Sequence, residues 1–382
     1  MDKKAIIVSY NNWWNKRLSY YQNWLDGHGY KVLSYMSDFD HFTKSSIDKE
    51  KTNVPSSLIH VSKYKSNISV RRIISYIVFS IKILFILFHE KPNVLISIVP
   101  CNSLGVILWL YKKINPKCAM AIDVVDMWPE SLPSVFMKKY MKFFMELWRY
   151  SRGLGIKVAD RVFCECRFFA NELARQGVSK KIEIIYLSGE AKICQETKVC
   201  DNDILRIAYL GSVNNIIDID RIALLIKAMV KIRPVELNII GGGSSCDEFI
   251  RKIQNTGAKV VWHGMIFDEC RKKEIISRCK FGLNIMKPTV FVGLSTKSIE
   301  YSLYGLPMLN SIPGDSEGLI NTYNSGINVT FDDIVMVARK VCNLNDESYC
   351  LMKIGARNMF NNEFSDCAIE KCVNTVFSNW LI

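Results

Sequence analysis

The stretch Gly293-Leu294-Ser295-Thr296-Lys297-Ser298-Ile299-Glu300-Tyr301-Ser302-Leu303-Tyr304-Gly305-Leu306-Pro307 decides the fold. Ser295 and Thr296 have the side chains of a helix cap, and Gly305-Leu306-Pro307 closes that helix and leads into a short apolar strand. A helix that runs directly into a buried strand is half of a βα repeat. The segment also carries charge in a telling place. A helix start leaves several N–H groups unpaired and presents the positive end of its dipole. Lys297, in the first turn, adds to that potential, so the start suits a phosphate or diphosphate. Glu300, one turn deeper, could accept two ribose hydroxyls. An ordinary buried helix with a capping serine and a solvated lysine accounts for the same residues.

Outward from this segment, short β-branched runs alternate with helical stretches. The first series comprises 4–9, 31–35, 58–61, 94–99, 119–125, 161–164 and 182–186. The second comprises 205–210, 235–240, 259–263, 281–286, 307–310 and 327–329. Continuous apolar strands separated by helices imply parallel sheets covered on both faces. The expected fold class is therefore α/β: two tandem, Rossmann-like, doubly wound domains facing across a cleft. The boundaries read as 1–188 for the first domain, 189–203 for a polar linker and 204–364 for the second. In such sheets ligands bind beyond the carboxyl ends of the strands.

The chain has 382 residues and a net charge of +13, and that charge is unevenly placed. Residues 1–190 carry 28 Lys and Arg against 16 Asp and Glu; residues 191–382 carry 22 against 21. An anionic partner is implied for the first half alone. The chain has no nucleic-acid-binding motif, basic tail or zinc spacing, so the expected partner is the cytoplasmic membrane surface and not nucleic acid. The thirteen cysteines are scattered without a CxxC, as for free thiols in a reducing cytosol. Met-Asp-Lys-Lys runs straight into a strand, which gives no signal peptide and an expected place in the cytoplasm, peripheral on the inner face of the membrane.

Two helices bear on that membrane expectation. The run 73–88 is almost wholly apolar; it is a little short for a membrane span and reads in preference as a core helix with one face available to lipid. In 133–150, Phe136, Tyr140, Phe143, Phe144 and Leu147 recur at helical spacing among Lys138, Lys139 and Lys142. That pattern suits a membrane interface through the three lysines, and equally a core-packed helix with a solvated basic face.

Four loops after strands could carry chemistry. Gly211-Ser212 lets a phosphate approach the backbone. Gly241-Gly242-Gly243 matches neither the dinucleotide fingerprint nor a P-loop and reads as a flexible turn. Backbone groups near Met265, after Trp262-His263-Gly264, could meet a nucleobase. Asp126-Met127-Trp128-Pro129-Glu130 joins a sugar-stacking indole to two carboxylates; Asp126 and Glu130 suit acid–base work, or a helix cap and first-turn acid.

Together these stretches resemble the GT-B glycosyltransferases, specifically the family-4-like enzymes of bacterial capsule and O-antigen clusters. The carrying residues are Asp126 to Ser131, Gly211-Ser212 with Asp218-Ile219-Asp220, Ile239 to Gly243, His263-Gly264, and above all Lys297 to Tyr301 with Gly305-Leu306-Pro307. The resemblance implies transfer of a sugar from a nucleotide-sugar donor to an acceptor, with retention and without a metal or other cofactor. It places the donor in the second domain, with Glu300 at the ribose and Lys297 at the diphosphate beside the helix start of Ser295 and Thr296. Gly211 and Ser212 face the same phosphates, Gly241 and Gly242 adjoin the donor, and Met265 lies at the base. The acceptor, a polyprenyl-diphosphate-linked glycan, falls to the first domain: Trp128 and Glu130 bind it, and Asp126 lies nearest the reacting centre. The resemblance also packs the last helix, 365–382, back onto the first domain.

The chain departs from the family pattern in four places. The acid expected eight residues before Glu300 is Val292, Ser212 stands where relatives have arginine, Ile217 lies near the place of their lysine, and 11–17 replaces a glycine-rich loop. A nucleotide-sugar epimerase of the same fold and a non-catalytic partner subunit are the alternative functions.

Overall fold

All thirteen expected strands form, with ends within two residues of the sequence reading. The computed structural model describes residues 3–41, 43–47, 56–66, 69–132, 141–189 and 203–382. The chain divides into two units, residues 1–187 with 369–382, and residues 188–368.

The first unit holds β1 (Lys3–Ser9), β2 (Tyr30–Ser37), β3 (Ser56–Ile59), β4 (Val94–Val99), β5 (Ala119–Val124), β6 (Arg161–Cys164) and β7 (Ile182–Ile184). They form one parallel sheet in the order β3-β2-β1-β4-β5-β6-β7. Every residue of β4 is buried, as a strand covered on both faces requires. Each fully buried Ile or Leu here contributes about 1.5–3 kcal/mol.

Arg17 ties the first helix, Asn15–Gly27, to the end of β5. Its guanidinium grips Asp123 through Nε (2.6 Å) and Nη2 (2.7 Å) and donates to the carbonyl of Ile185 (2.5 Å). Tyr21 adds its hydroxyl to the same carboxylate at 2.8 Å. Asp123 and Arg17 are both buried, so the bidentate geometry and the added donors offset their desolvation.

The helix expected over 133–150 is observed as Lys142–Val158, and 133–140 lies outside the described residues. It runs past Tyr150 because Gly155 seats it against the helix Ser103–Ile114. A Cβ on Gly155 would stand 2.7 Å from the Gly105 backbone, and one on Gly105 would meet the Ser151 carbonyl. The last helix, Asp366–Leu381, packs on the first unit: Phe377 stacks on Phe163 at 5.7 Å, and Trp24 Nε1 donates to Asn374 Oδ1 at 3.0 Å.

The second unit holds β8 (Leu205–Leu210), β9 (Val235–Ile240), β10 (Lys259–Gly264), β11 (Phe281–Asn284), β12 (Met308–Asn310) and β13 (Gly326–Asn328). These strands are parallel, in the order β10-β9-β8-β11-β12-β13. Strand order reverses between β8 and β11. Loops leaving a sheet in opposite directions at such a point open a crevice beyond the strand ends.

Candidate functional site

That crevice is a cavity of about 350 Å³ in the second unit. Gly211, Ser212, Gly241, Gly242, Met265 and Glu300, all expected at the donor, line it, together with Phe267 and Lys272. Three consecutive loops build its floor. Gly211 N donates to the Ile240 carbonyl (2.9 Å), Val213 N to Gly242 (2.8 Å) and Gly241 N to Gly264 (2.7 Å). The glycine-rich turn is thus not a loose one. Gly241 has φ +143°, and a Cβ there would lie 2.1 Å from the Gly211 carbonyl oxygen. Only glycine lets these backbones approach so closely.

The helix Thr296–Leu303 forms the facing wall, and its start is fixed twice. Ser295 caps it, accepting from Ser298 N at 3.2 Å while donating to Asn284 Oδ1 at 2.8 Å. Asn284 in turn begins a ladder across the ends of β11, β12 and β13: its Nδ2 donates to Asn310 Oδ1, and Asn310 Nδ2 to Asn328 Oδ1, each at 2.9 Å. Deeper in the helix, Tyr301 is fully buried and its hydroxyl accepts from Leu210 N at 3.0 Å. Its ring lies where a Cβ on Gly282 would be, 2.6 Å away. The hydroxyl of Ser295 is therefore engaged in capping. Thr296 is exposed, and neither residue lines the cavity.

These anchors set Lys297 against the Gly211 turn, where a Cβ on Gly211 would lie 3.9 Å from its Nζ. Lys297 is only 9 % exposed, which replaces the solvated lysine of the simpler reading. Among the described residues no hydrogen bond or ion pair reaches its ammonium. The Tyr209 ring lies 5.1 Å away. Burial pulls its pKa down to about 8, with the Glu300 carboxylate opposing. A buried ammonium that no carboxylate contacts is unfavourable by itself and gains most from an anion.

Glu300 is held from the side by Lys272, whose Nζ lies 2.9 Å from Glu300 Oε1 and 2.8 Å from Glu269 Oε1. Sequence reasoning missed Lys272. Its only local signal is the Glu269–Lys272 spacing on one helix. Val292, in the place of the family's first acid, packs against the hydrophobic core of the second unit. His263 is structural, with Nε2 2.9 Å from Asn238 Oδ1.

In the first unit Asp126 accepts from Ser131 Oγ at 2.6 Å. Burial raises its carboxyl above the usual range, against the pull of Ser131 and Arg72. Trp128 is buried rather than open as a platform: the Arg72 guanidinium lies 5.1 Å over its ring, and Trp148 meets it edge-on at 5.6 Å. Glu130 sits in a closed network of Arg152 (2.7 Å), Arg149 (2.9 Å) and Gln176 Nε2 (2.9 Å). Burial alone would raise its carboxyl, but Arg152 and Gln176 hold it below the usual range. Its lone pairs are taken up inside the protein, so its visible role is to fasten 127–132 to the helix Lys142–Val158. Lys142 is exposed at the start of that helix; Lys138 and Lys139 lie outside the described residues.

Residues 205–347 match the family model described as glycosyl transferases group 1. No curated protein matches the chain. Among solved structures, HepE of Anabaena in complex with UDP superposes with a TM-score of 0.69 at 12 % identity, covering 99 % of this chain and 100 % of that one. The lipopolysaccharide outer core galactosyltransferase WaaB aligns with a TM-score of 0.65 at 15 % identity, over 99 % of each chain. A glycosyltransferase from Rickettsia africae aligns with a TM-score of 0.65 at 14 % identity, over 100 % of this chain and 99 % of that one. The chain therefore has the GT-B fold of these structures, and its second unit matches the glycosyl transferases group 1 model over residues 205–347.

Proposed function

We propose that the chain moves a sugar from a nucleotide-sugar donor, held in the second unit, to a polyprenyl-diphosphate-linked glycan. The transfer proceeds with retention, at the inner face of the cell membrane, and serves the assembly of a surface polysaccharide. The observation that carries the donor half of this reading is the buried ammonium of Lys297 against the Gly211 turn, an ammonium that no hydrogen bond or ion pair reaches among the described residues. HepE is described with UDP, which supports the donor class, and WaaB as a lipopolysaccharide outer core galactosyltransferase, which supports a surface glycan as the acceptor.

Sugar transfer leaves negative charge on the departing diphosphate. The Lys297 ammonium and the start of its helix meet that charge with positive groups already in place, so no solvent need reorganise as the bond breaks. Lys272 lines the cavity and adds a cation there, whereas Lys297 lies behind the Gly211 turn and is not itself part of the lining. These groups supply the charge that a metal would otherwise bring, and the reading takes the reaction to be metal-independent. Glu300, steadied by Lys272, accepts from the donor ribose. Asp126 orients the acceptor hydroxyl, and burial, which raises its carboxyl above the usual range, makes it a better proton acceptor than a solvated aspartate.

A thermal-shift screen over nucleoside diphosphates, followed by transfer assays in EDTA, tests the reading. Stabilisation by at least one diphosphate and EDTA-resistant transfer with the product anomer unchanged are expected. Stabilisation by none would remove the donor site, and free interconversion of a nucleotide sugar without acceptor would favour an epimerase.

A further inference from the structure

The helix Val70–Glu90 is apolar on two sides. Its buried side carries Phe79, Ile83 and Leu87 together with Arg72, Ser75, Tyr76 and Ser80, while its exposed side carries Val70, Ile74, Ile77, Ile81, Phe85 and Phe88. The exposed set recurs at steps of three and four, so it forms one stripe along the whole helix. Exposure is substantial: Ile74 46 %, Ile77 43 %, Ile81 45 % and Phe85 68 %. The helix is also long and apolar enough to cross a membrane by length and composition. Its buried side, however, is fastened into the unit. Ser75 Oγ meets Tyr10 Oη at 2.7 Å, the Arg72 guanidinium lies 5.1 Å over the Trp128 ring, and Ser80 Oγ meets Ser103 Oγ at 2.7 Å. Spanning a bilayer would break these contacts and leave buried polar groups without partners.

The neighbouring helices extend the apolar face. Phe88 packs on Tyr111 of Ser103–Ile114, whose Leu110 and Ile114 are exposed, and Lys142–Val158, crossing that helix, exposes Phe143 and Leu147. Arg71, Lys82, Lys113 and Lys142 stand exposed on these same helices. The only acid of Val70–Glu90, Glu90, is paired with Lys4 at 2.6 Å.

We propose that this face is the surface by which the chain lies on an anionic phospholipid bilayer, with Val70–Glu90 parallel to the membrane plane. Charge selects the occupant. The first half of the chain carries 28 basic against 16 acidic residues, which favours an anionic leaflet and opposes a second copy of the same unit. The inference builds on the membrane-side working place proposed above and centres the contact on the apolar stripe of Val70–Glu90, with Lys142 among the basic residues beside it. It also gives the lipid-linked acceptor a side of approach: Arg72, in the first turn of this helix, stacks on Trp128 beside Asp126.

The test is co-sedimentation of the full chain with phosphatidylcholine vesicles made with and without phosphatidylglycerol. The wild-type chain should bind the phosphatidylglycerol vesicles. The variant Ile74→Ser/Ile77→Ser/Ile81→Ser/Phe85→Ser should lose that binding at least tenfold, while Val335→Ser/Met336→Ser in the second unit should not. If the fourfold variant fails to fold, Phe85→Asp alone should lose at least threefold. Unchanged binding by the folded variants would overturn the proposal, as would absence of wild-type binding or a wild-type dimer that the fourfold variant abolishes. A nucleoside-diphosphate thermal shift on the same samples separates the two readings: retained shift with no vesicle binding removes the surface and leaves the donor site standing.

Discussion

Lys272 Nζ stands 2.9 Å from Glu300 Oε1, joining the helix after β10 to the helix after β11 at the rim of one cavity. The pair fixes the carboxylate assigned to the donor ribose. Lys272→Met should free Glu300 and remove one cation, raising the donor KM about tenfold, the size of one charge-assisted hydrogen bond of roughly 1.5 kcal/mol. Initial rates across donor concentrations check this. An unchanged KM would make the pair ornamental to binding.

Lys297 should destabilise the ligand-free protein. Its pKa is about 8 folded against 10.5 unfolded, so between those values the unfolded chain binds the extra proton. Stability therefore rises with pH across that window, by on the order of 3 kcal/mol, and this gain is lost as pH falls through 8. Lys297→Met should be more stable than wild type at pH 7 and should lack the rise. Urea unfolding at pH 7 and pH 10 measures both effects.

The Tyr301–Gly282 seat should matter as much to the site as to the fold. Gly282→Ala would force a Cβ to within 2.6 Å of the Tyr301 ring and displace the helix that bears Lys297. A loss of about 1–3 kcal/mol is expected, with weaker diphosphate binding. Tyr301→Phe leaves Leu210 N without its partner, a loss of about 1–3 kcal/mol. Calorimetry with and without nucleoside diphosphate follows both variants.

Glu130 should behave as a structural ion. Glu130→Ala would leave buried Arg152 uncompensated and destabilise the first unit by about 3–5 kcal/mol. Acceptor KM, measured where the variant stays folded, should change less than threefold. A large KM effect with little loss of stability would restore Glu130 to the acceptor.

The central strands were legible because β1, β4 and β8 are apolar runs bounded by turn residues, the pattern a doubly covered parallel sheet demands. The helix start was legible because Ser295 is a strong cap and Lys297 follows it at once. What escaped depends on tertiary geometry. Lys272 and Glu300 are 28 positions apart, and the Asn284–Asn310–Asn328 ladder exists only once three strands pair in register. Gly241 and Gly243 read as looseness although they are the points of closest backbone approach. Glu130 looked available because nothing local announces Arg152. The run 73–88 announced a buried helix, but which side would face out was decided by Tyr10 and Ser103.

Calorimetric titration of nucleoside diphosphates into the wild-type chain and into Lys297→Ala bears most directly on the central claim, that this ammonium grips the leaving diphosphate. The account predicts that a diphosphate binding the wild-type chain loses at least tenfold in affinity in the variant, with the corresponding nucleoside affected less than twofold. Equal diphosphate affinity in a folded Lys297→Ala protein would contradict it.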